Sequence, residues 1–121
     1  MSIRIAFSGH RDSVCDEVVL DRVADDYPGA LWVHGGARGF DTQVEQYARR
    51  HGIQTEIVTP DYARWGRIAP IIRNQSIVEG ATVLVACYDG RDTGGTVSAL
   101  GIAKRLRVPF RIVKAYKVGA A

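Results

Sequence analysis

Short apolar runs alternate with longer amphipathic stretches along this chain. Five runs have strand character: residues 3–8, 30–34, 55–59, 82–88 and 110–114. In the fourth, Val83-Leu84-Val85-Ala86-Cys87 is apolar throughout instead of alternating. That is the pattern of a strand covered on both faces. Between the runs lie helical patterns. Residues 16–26 place Val18, Val19, Val23 and Ala24 near one face, and residues 41–51 place Val44, Tyr47 and Ala48 on one stripe. A shorter helix is predicted over 73–79. Another, over 96–106, turns Ala99, Leu100 and Ala103 inward. Gly52 and Gly80 read as C-terminal stops, and Val108-Pro109 ends the last helix.

Strand–helix alternation on short links predicts βαβ units with right-handed crossovers. The expected fold class is α/β: a Rossmann-like three-layer fold with a mostly parallel five-stranded sheet. The chain has 121 residues, the length of one domain. Residues 60–72 break the rhythm, because they are long for a strand-to-helix link and carry Tyr62, Trp65 and Arg67. Such a segment is either a functional loop or a flap over a sheet edge. The tail from Val118 to Ala121 is expected to fray.

Charge narrows the picture a little. A formal charge of +3 and a pI near 9.1 suit an anionic ligand. The basic residues are spread along the chain, so nucleic acid is not required as a partner. Lys104, Arg105 and Arg107 cluster, but they read as a solvated helix end. Cys15 and Cys87 form no CxxC pair and no zinc spacing, which fits a reducing cytoplasm, and Cys87 reads as a small core residue. No signal-peptide pattern precedes the first run, and no apolar stretch nears the roughly 20 residues of a membrane helix. The expected location is cytoplasmic, without a membrane.

Three glycine-bearing stretches each follow a strand: Ser8-Gly9-His10-Arg11, then Gly35-Gly36-Ala37-Arg38-Gly39-Phe40-Asp41, then Asp89-Gly90-Arg91-Asp92-Thr93-Gly94-Gly95-Thr96. In a parallel sheet all three leave the same carboxyl edge, where such folds bind ligands. Glycine lets backbone amides approach a phosphate, and the next helix N-terminus adds about half a positive charge. Arg11, Arg38 and Arg91 can add charge-assisted hydrogen bonds. Turn geometry alone also explains any single glycine. No GxGxxG and no GxxxxGK[ST] occurs, which argues against a typical dinucleotide dehydrogenase and a P-loop kinase.

The polar residues of these loops admit more than one role. Asp41 can cap its helix, bond a ribose hydroxyl or orient a loop amide. His10 is the best histidine for touching a ligand; His34 is core or rim, and His51 suits a helix C-terminus. Asp89 and Asp92 can hold Mg²⁺ with a phosphate, or simply form a turn. No serine or cysteine has triad context.

The order of these motifs, with Gly66-Arg67 and Arg73-Asn74 between the second and third, resembles the SLOG superfamily. That superfamily unites the DNA-processing protein Smf/DprA, the LOG-type cytokinin phosphoribohydrolases and many small Rossmann-like proteins. The likeness is to the small YspA-related branch, over residues 3 to about 113. The resemblance implies binding of a nucleotide or nucleotide-derived molecule. It implies that Gly9, Gly36, Arg38, Gly39 and Asp41 line one side of the pocket, that Arg73 and Asn74 match an arginine-bearing helix start, and that Gly94, Gly95 and Thr96 match a phosphate-binding turn. LOG-type enzymes carry a glutamate soon after the Gly-Thr pair. Here Val97, Ser98, Ala99 and Leu100 follow. Glycosidic cleavage needs a carboxylate, so sensing or carrying fits better than catalysis. Glu45 and Asp92 are the possible substitutes; in an enzyme, Arg73 and Asp92 are the catalytic candidates.

Three functions follow in order of preference: a sensor or carrier for an ADP-ribose, NAD-like or nucleoside monophosphate ligand; a nucleoside 5′-monophosphate phosphoribohydrolase; and a DprA-like binder of single-stranded DNA, using Tyr62, Trp65 and Tyr88 as stacking surfaces. The apolar faces of the last two helices, together with the resemblance, imply a homo-oligomer.

Overall fold

The computed structural model describes residues 3–119. Five parallel strands form one sheet in the order β4-β3-β1-β5-β6. They are β1 (Arg4–Gly9), β3 (Leu31–His34), β4 (Thr55–Ile57), β5 (Val83–Tyr88) and β6 (Phe110–Lys114). The chain starts at the centre, winds out to β4, then returns to the other side of β1. The helices change face with it. Helices α1 (Glu17–Asp26) and α2 (Phe40–Arg50) cover Ile5, Phe7, Trp32, Val83, Val85 and Cys87. Helices α4 (Ala69–Val78) and α5 (Gly95–Leu106) cover Ala6, Val33, Leu84 and Ala86. Adjacent residues of one strand thus feed opposite cores, as the strand period of two demands. The fully apolar run 83–87 is buried on both sides.

The two cores differ in kind. The α1/α2 side is aromatic: Phe7 lies 4.7 Å from Trp32, Trp32 stacks on Tyr47 at 5.5 Å, and Tyr47 stacks on His51 at 4.0 Å. The α4/α5 side is lined by Ala6, Ala86, Ala99 and Ala103, which lets these helices sit close to the sheet. Cys15 and Cys87 are free and buried in the aromatic core. Burial pushes both thiols up to about 12. A thiol-specific disulfide reagent at pH 8 is therefore expected to titrate neither cysteine until the protein is denatured. Fast reaction of the native protein would contradict this burial.

Three details depart from the expectations. Val18 is exposed, and Leu20 takes the inward position with Val23. Asp16 caps the helix through Val18 N–H, and Val18, two residues from Leu20, lies on the opposite side. Residues 60–72 are not one loop. They hold α3 (Tyr62–Trp65), capped by Asp61, a 3-10 turn (Gly66–Ile68), and the first turn of α4, which begins at Ala69 and not at Arg73. Pro70 in that first turn forfeits no helical hydrogen bond, so it does not break the helix. The tail is held as well. Strands β2 (Ser13–Val14) and β7 (Tyr116–Lys117) form an antiparallel ribbon, and Val118 N–H bonds Asp12 O at 2.8 Å. Ala120 and Ala121, also expected to fray, lie outside the described residues.

Candidate functional site

The winding reverses between β1 and β5, and a cleft of about 760 Å³ opens at their carboxyl ends. The end of β1 and the loop after it contribute Ser8, Gly9, His10 and Arg11; the loop after β3 contributes Gly35, Gly36 and Ala37; the first turn of α2 contributes Asp41; the start of α5 contributes Gly94, Gly95 and Thr96; and α4 contributes Arg73 and Asn74. Separate parts of the sequence meet here because the strands are parallel and their C-terminal loops share one edge.

The second loop is held from within. Asp41 is 6% exposed, and its Oδ2 accepts both Gly35 N–H and Ala37 N–H at 3.2 Å. It is not the cap of α2. That position belongs to Gly39, at φ 71°. Asp41 sits inside the first turn of the helix and reaches back to the loop. Burial pushes its carboxyl up, opposed by the two amides, His34 and Arg73. Its Oδ1 is buried without a hydrogen-bond partner among the described residues.

His34 belongs to the core, at 1% exposed. Its Nδ1 accepts Gly36 N–H at 3.0 Å, so the proton rests on Nε2, which faces Glu45 Oε1 at 2.7 Å. Burial opposes ionisation of Glu45, but hydrogen bonds from His34, Arg49 and Thr55 outweigh it and hold the carboxyl below its ordinary value of 4.5. Glu45 therefore stabilises the fold above pH 4.5, and this contribution is lost as pH falls through the folded value. Glu45→Gln is expected to cost about 1–3 kcal/mol at neutral pH. Urea titrations of both proteins from pH 7 to 3 check the sign, since the gap must close on acidification. A constant gap would show that the charge is irrelevant.

Helix α4 spans the cleft with a polar strut. Arg73 Nη1 donates to Gly35 O at 3.2 Å and Nε to Asn74 Oδ1 at 2.9 Å, while Asn74 Nδ2 donates to Gly95 O at 3.3 Å. The second and third glycine loops are thus tied through two consecutive side chains. The N-terminus of α5 has no side-chain cap. Its first amides lack intrahelical partners and lie beside the cleft.

The third loop is tied to itself and to the first loop. Arg91 Nε donates to Asp89 Oδ1 at 3.0 Å, and Nη2 reaches Asp12 Oδ1 at 3.1 Å. Hydrogen bonding from Arg91 holds the Asp89 carboxyl well below the usual range. Arg91 lines the cleft, but two carboxylates compensate its charge. His10 is buried, and its Nε2 accepts Asp89 N–H at 3.2 Å. Asp89 Oδ1, 3.1 Å from that nitrogen, forms an ion pair only with a protonated ring. Burial, then Arg91, pushes the imidazole down, so the neutral ring is favoured.

Six of the expected residues do not line the cleft: Arg38, Gly39, Asp89, Gly90, Asp92 and Thr93. Arg38 is exposed, and Gly39 works by packing. Glu45 and Asp92, the two residues named as able to substitute for the missing carboxylate, do not line the cleft. Among the described residues no group of three or more His, Cys, Asp or Glu is arranged to hold a metal ion. Arg91, expected as a charge-assisted donor, lines the cleft, which also adds Phe7, Asp12, Thr59, Pro60, Tyr62, Pro70 and Ile77. Asp12 directly follows the first glycine loop, and the prolines and Tyr62 belong to the segment that breaks the strand–helix rhythm. Ile77 and Phe7 carry no signal in the sequence beyond being apolar.

A parallel sheet with its cleft at the reversal of winding defines a Rossmann-like α/β protein. More particularly, the chain belongs to the SLOG group: the family model described as YspA, cpYpsA-related SLOG family matches residues 3–65, more than half of the chain. The matched part holds the first two glycine loops, while Arg73, Asn74 and the third loop lie beyond it. Membership points to a small-molecule, nucleotide-related ligand. No curated protein matches the chain. Among the described residues no helix is long and apolar enough to cross a membrane.

Proposed function

We propose that the cleft binds a nucleotide or nucleotide-derived small molecule, of ADP-ribose, NAD-like or nucleoside monophosphate type, and that the protein senses or carries it. The observation that supports this most is the Arg73–Asn74 strut beside the uncapped α5 N-terminus. A phosphate accepts hydrogen bonds from the free amides of Gly95 and Thr96 and meets the positive end of the helix. Arg73 uses Nη1 and Nε inside the protein, and its remaining nitrogen is available to the same anion. Tyr62, Pro60, Pro70 and Ile77 supply apolar surface for a base.

Catalysis fits less well. The cleft contains Asp12, paired with Arg91, and Asp41, which holds two loop amides. Binding of single-stranded DNA also fits less well. Lys104 and Arg105 lie in the last turn of α5, about 15 Å along the helix from the cleft. Trp65 stacks with Arg64 and does not line the cleft.

Calorimetric titration with AMP, ADP-ribose, NAD and adenosine tests the reading. The phosphorylated ligands are expected to bind with micromolar affinity and adenosine about 30-fold more weakly, roughly 2 kcal/mol. Absence of binding by all three phosphorylated ligands below millimolar concentration would remove it. Release of free adenine from AMP above background would replace it with a hydrolase.

A further inference from the structure

Asp41 is built differently from the rest of the cleft. One carboxylate oxygen is fully used: Oδ2 accepts two amides and thereby shapes the second glycine loop. The other, Oδ1, is buried and takes no hydrogen bond among the described residues. Buried acceptors are almost always satisfied, because leaving one unpaired forfeits its hydration without return. A loop-shaping role alone needs only one oxygen. The second is a buried, unpaired acceptor of a residue that itself lines the cleft.

The surroundings restrict what can satisfy it. A cationic group would meet Arg73, whose guanidinium reaches the carbonyl of Gly35 in the same loop. A second anion would meet the carboxylate itself. A neutral hydroxyl donor suffers neither repulsion. A sugar can join the two sides of the cleft. Asp41 is bonded to Gly35 and Ala37 after β3, the uncapped amides open α5 after β5, and these two strands flank β1. Both sets of groups line one cleft, and one ribose carries a 5′-phosphate and free ring hydroxyls on different sides.

We infer that Asp41 is the specificity-determining acceptor of the cleft: its Oδ1 takes a hydrogen bond from a free ribose hydroxyl of a ligand whose 5′-phosphate sits on the α5 N-terminus, and it rejects ligands phosphorylated on that hydroxyl. The inference rests on the nucleotide reading above. It adds a discrimination that a phosphate site alone does not produce.

The test is calorimetry on the full chain, wild type and Asp41→Asn, with AMP, 2′,3′-dideoxy-AMP and adenosine 3′,5′-bisphosphate. Asparagine keeps one oxygen for the amides of Gly35 and Ala37 and presents an NH₂ group in place of Oδ1. The wild type is expected to prefer AMP over the dideoxy analogue and over the bisphosphate by about tenfold each. In Asp41→Asn both preferences fall below about threefold, and the bisphosphate gains most because the new amide donates to its extra phosphate. If the wild type binds AMP and dideoxy-AMP equally while adenosine remains weak, the Asp41 subsite is wrong and the phosphate-anchored reading stands. If AMP does not bind at all, both fall. Should the variant fail to fold, judged by circular dichroism, the ligand series on the wild type decides by itself.

Discussion

Replacing Gly39 by alanine is expected to cost about 3–5 kcal/mol, a large share of the roughly 5–15 kcal/mol that holds a domain of this kind together. Two penalties combine. Gly39 has φ 71° and ψ −120°, a conformation that side chains rarely adopt, worth about 1–3 kcal/mol. An added Cβ would also stand 2.6 Å from both His10 O and Arg11 O. These are backbone atoms of the first loop and cannot swing aside, so overpacking adds about 1–3 kcal/mol. Gly52 separates the two penalties. It has φ 66°, but an added Cβ there would meet nothing within 4 Å, so Gly52→Ala is expected to lose only about 1 kcal/mol. Gly101 lies inside α5 with open space around it, and alanine there is expected to stabilise by about 0.5–1 kcal/mol. Urea midpoints of the three variants give the comparison. Equal losses at Gly39 and Gly52 would mean that the two loops are not in close contact.

Arg73→Ala is expected to weaken phosphorylated ligands about 100-fold, close to 3 kcal/mol, while costing the fold only about 1 kcal/mol. The asymmetry follows from where the side chain acts. It carries charge to the cleft and also braces Gly35 O against Asn74, which in turn holds Gly95 O. Its loss removes an ionic contact and loosens both loops that frame the ligand. Arg73→Lys keeps the charge but cannot make two hydrogen bonds in the fixed geometry of a guanidinium, so it is expected to remain at least roughly tenfold weaker than wild type. Calorimetry with ADP-ribose and AMP, paired with urea denaturation, checks both halves. A lysine variant that binds as the wild type does would show that charge matters and the strut does not.

Much of the architecture is legible in the chain. Helix boundaries are set by local chemistry: Asp16 as a cap, Gly52 and Gly80 at positive φ, and Arg107 in the left-handed conformation where α5 ends before Val108-Pro109. The first turn of α4 is not, because a proline looks like a breaker unless its place in the helix is known. The ribbon of β2 with β7 is also invisible. It pairs residues about a hundred positions apart, over strands of two residues each, which carry no periodicity to detect. Helix α2 is tied to the same region by Gln43, whose side chain bonds both N–H and O of Cys15, at 2.9 and 2.8 Å. Nothing about an isolated glutamine announces such a clamp.

The site divides in the same way. By itself the sequence determined that three glycine loops follow three strands, and hence that they share the carboxyl edge of a parallel sheet, because chain direction and strand period are local properties. It determined the SLOG likeness and the missing glutamate after Gly95-Thr96. Only the tertiary structure decided which of those residues face the cleft. Arg91 and Asp89 are spent on each other, Glu45 is drawn away to His34, Arg38 is left to solvent, and Asp41 keeps one oxygen for the loop and leaves the other unpaired among the described residues. Hydrogen-bond partners are chosen by what folding brings within about 3 Å, and that choice depends on contacts between distant parts of the chain.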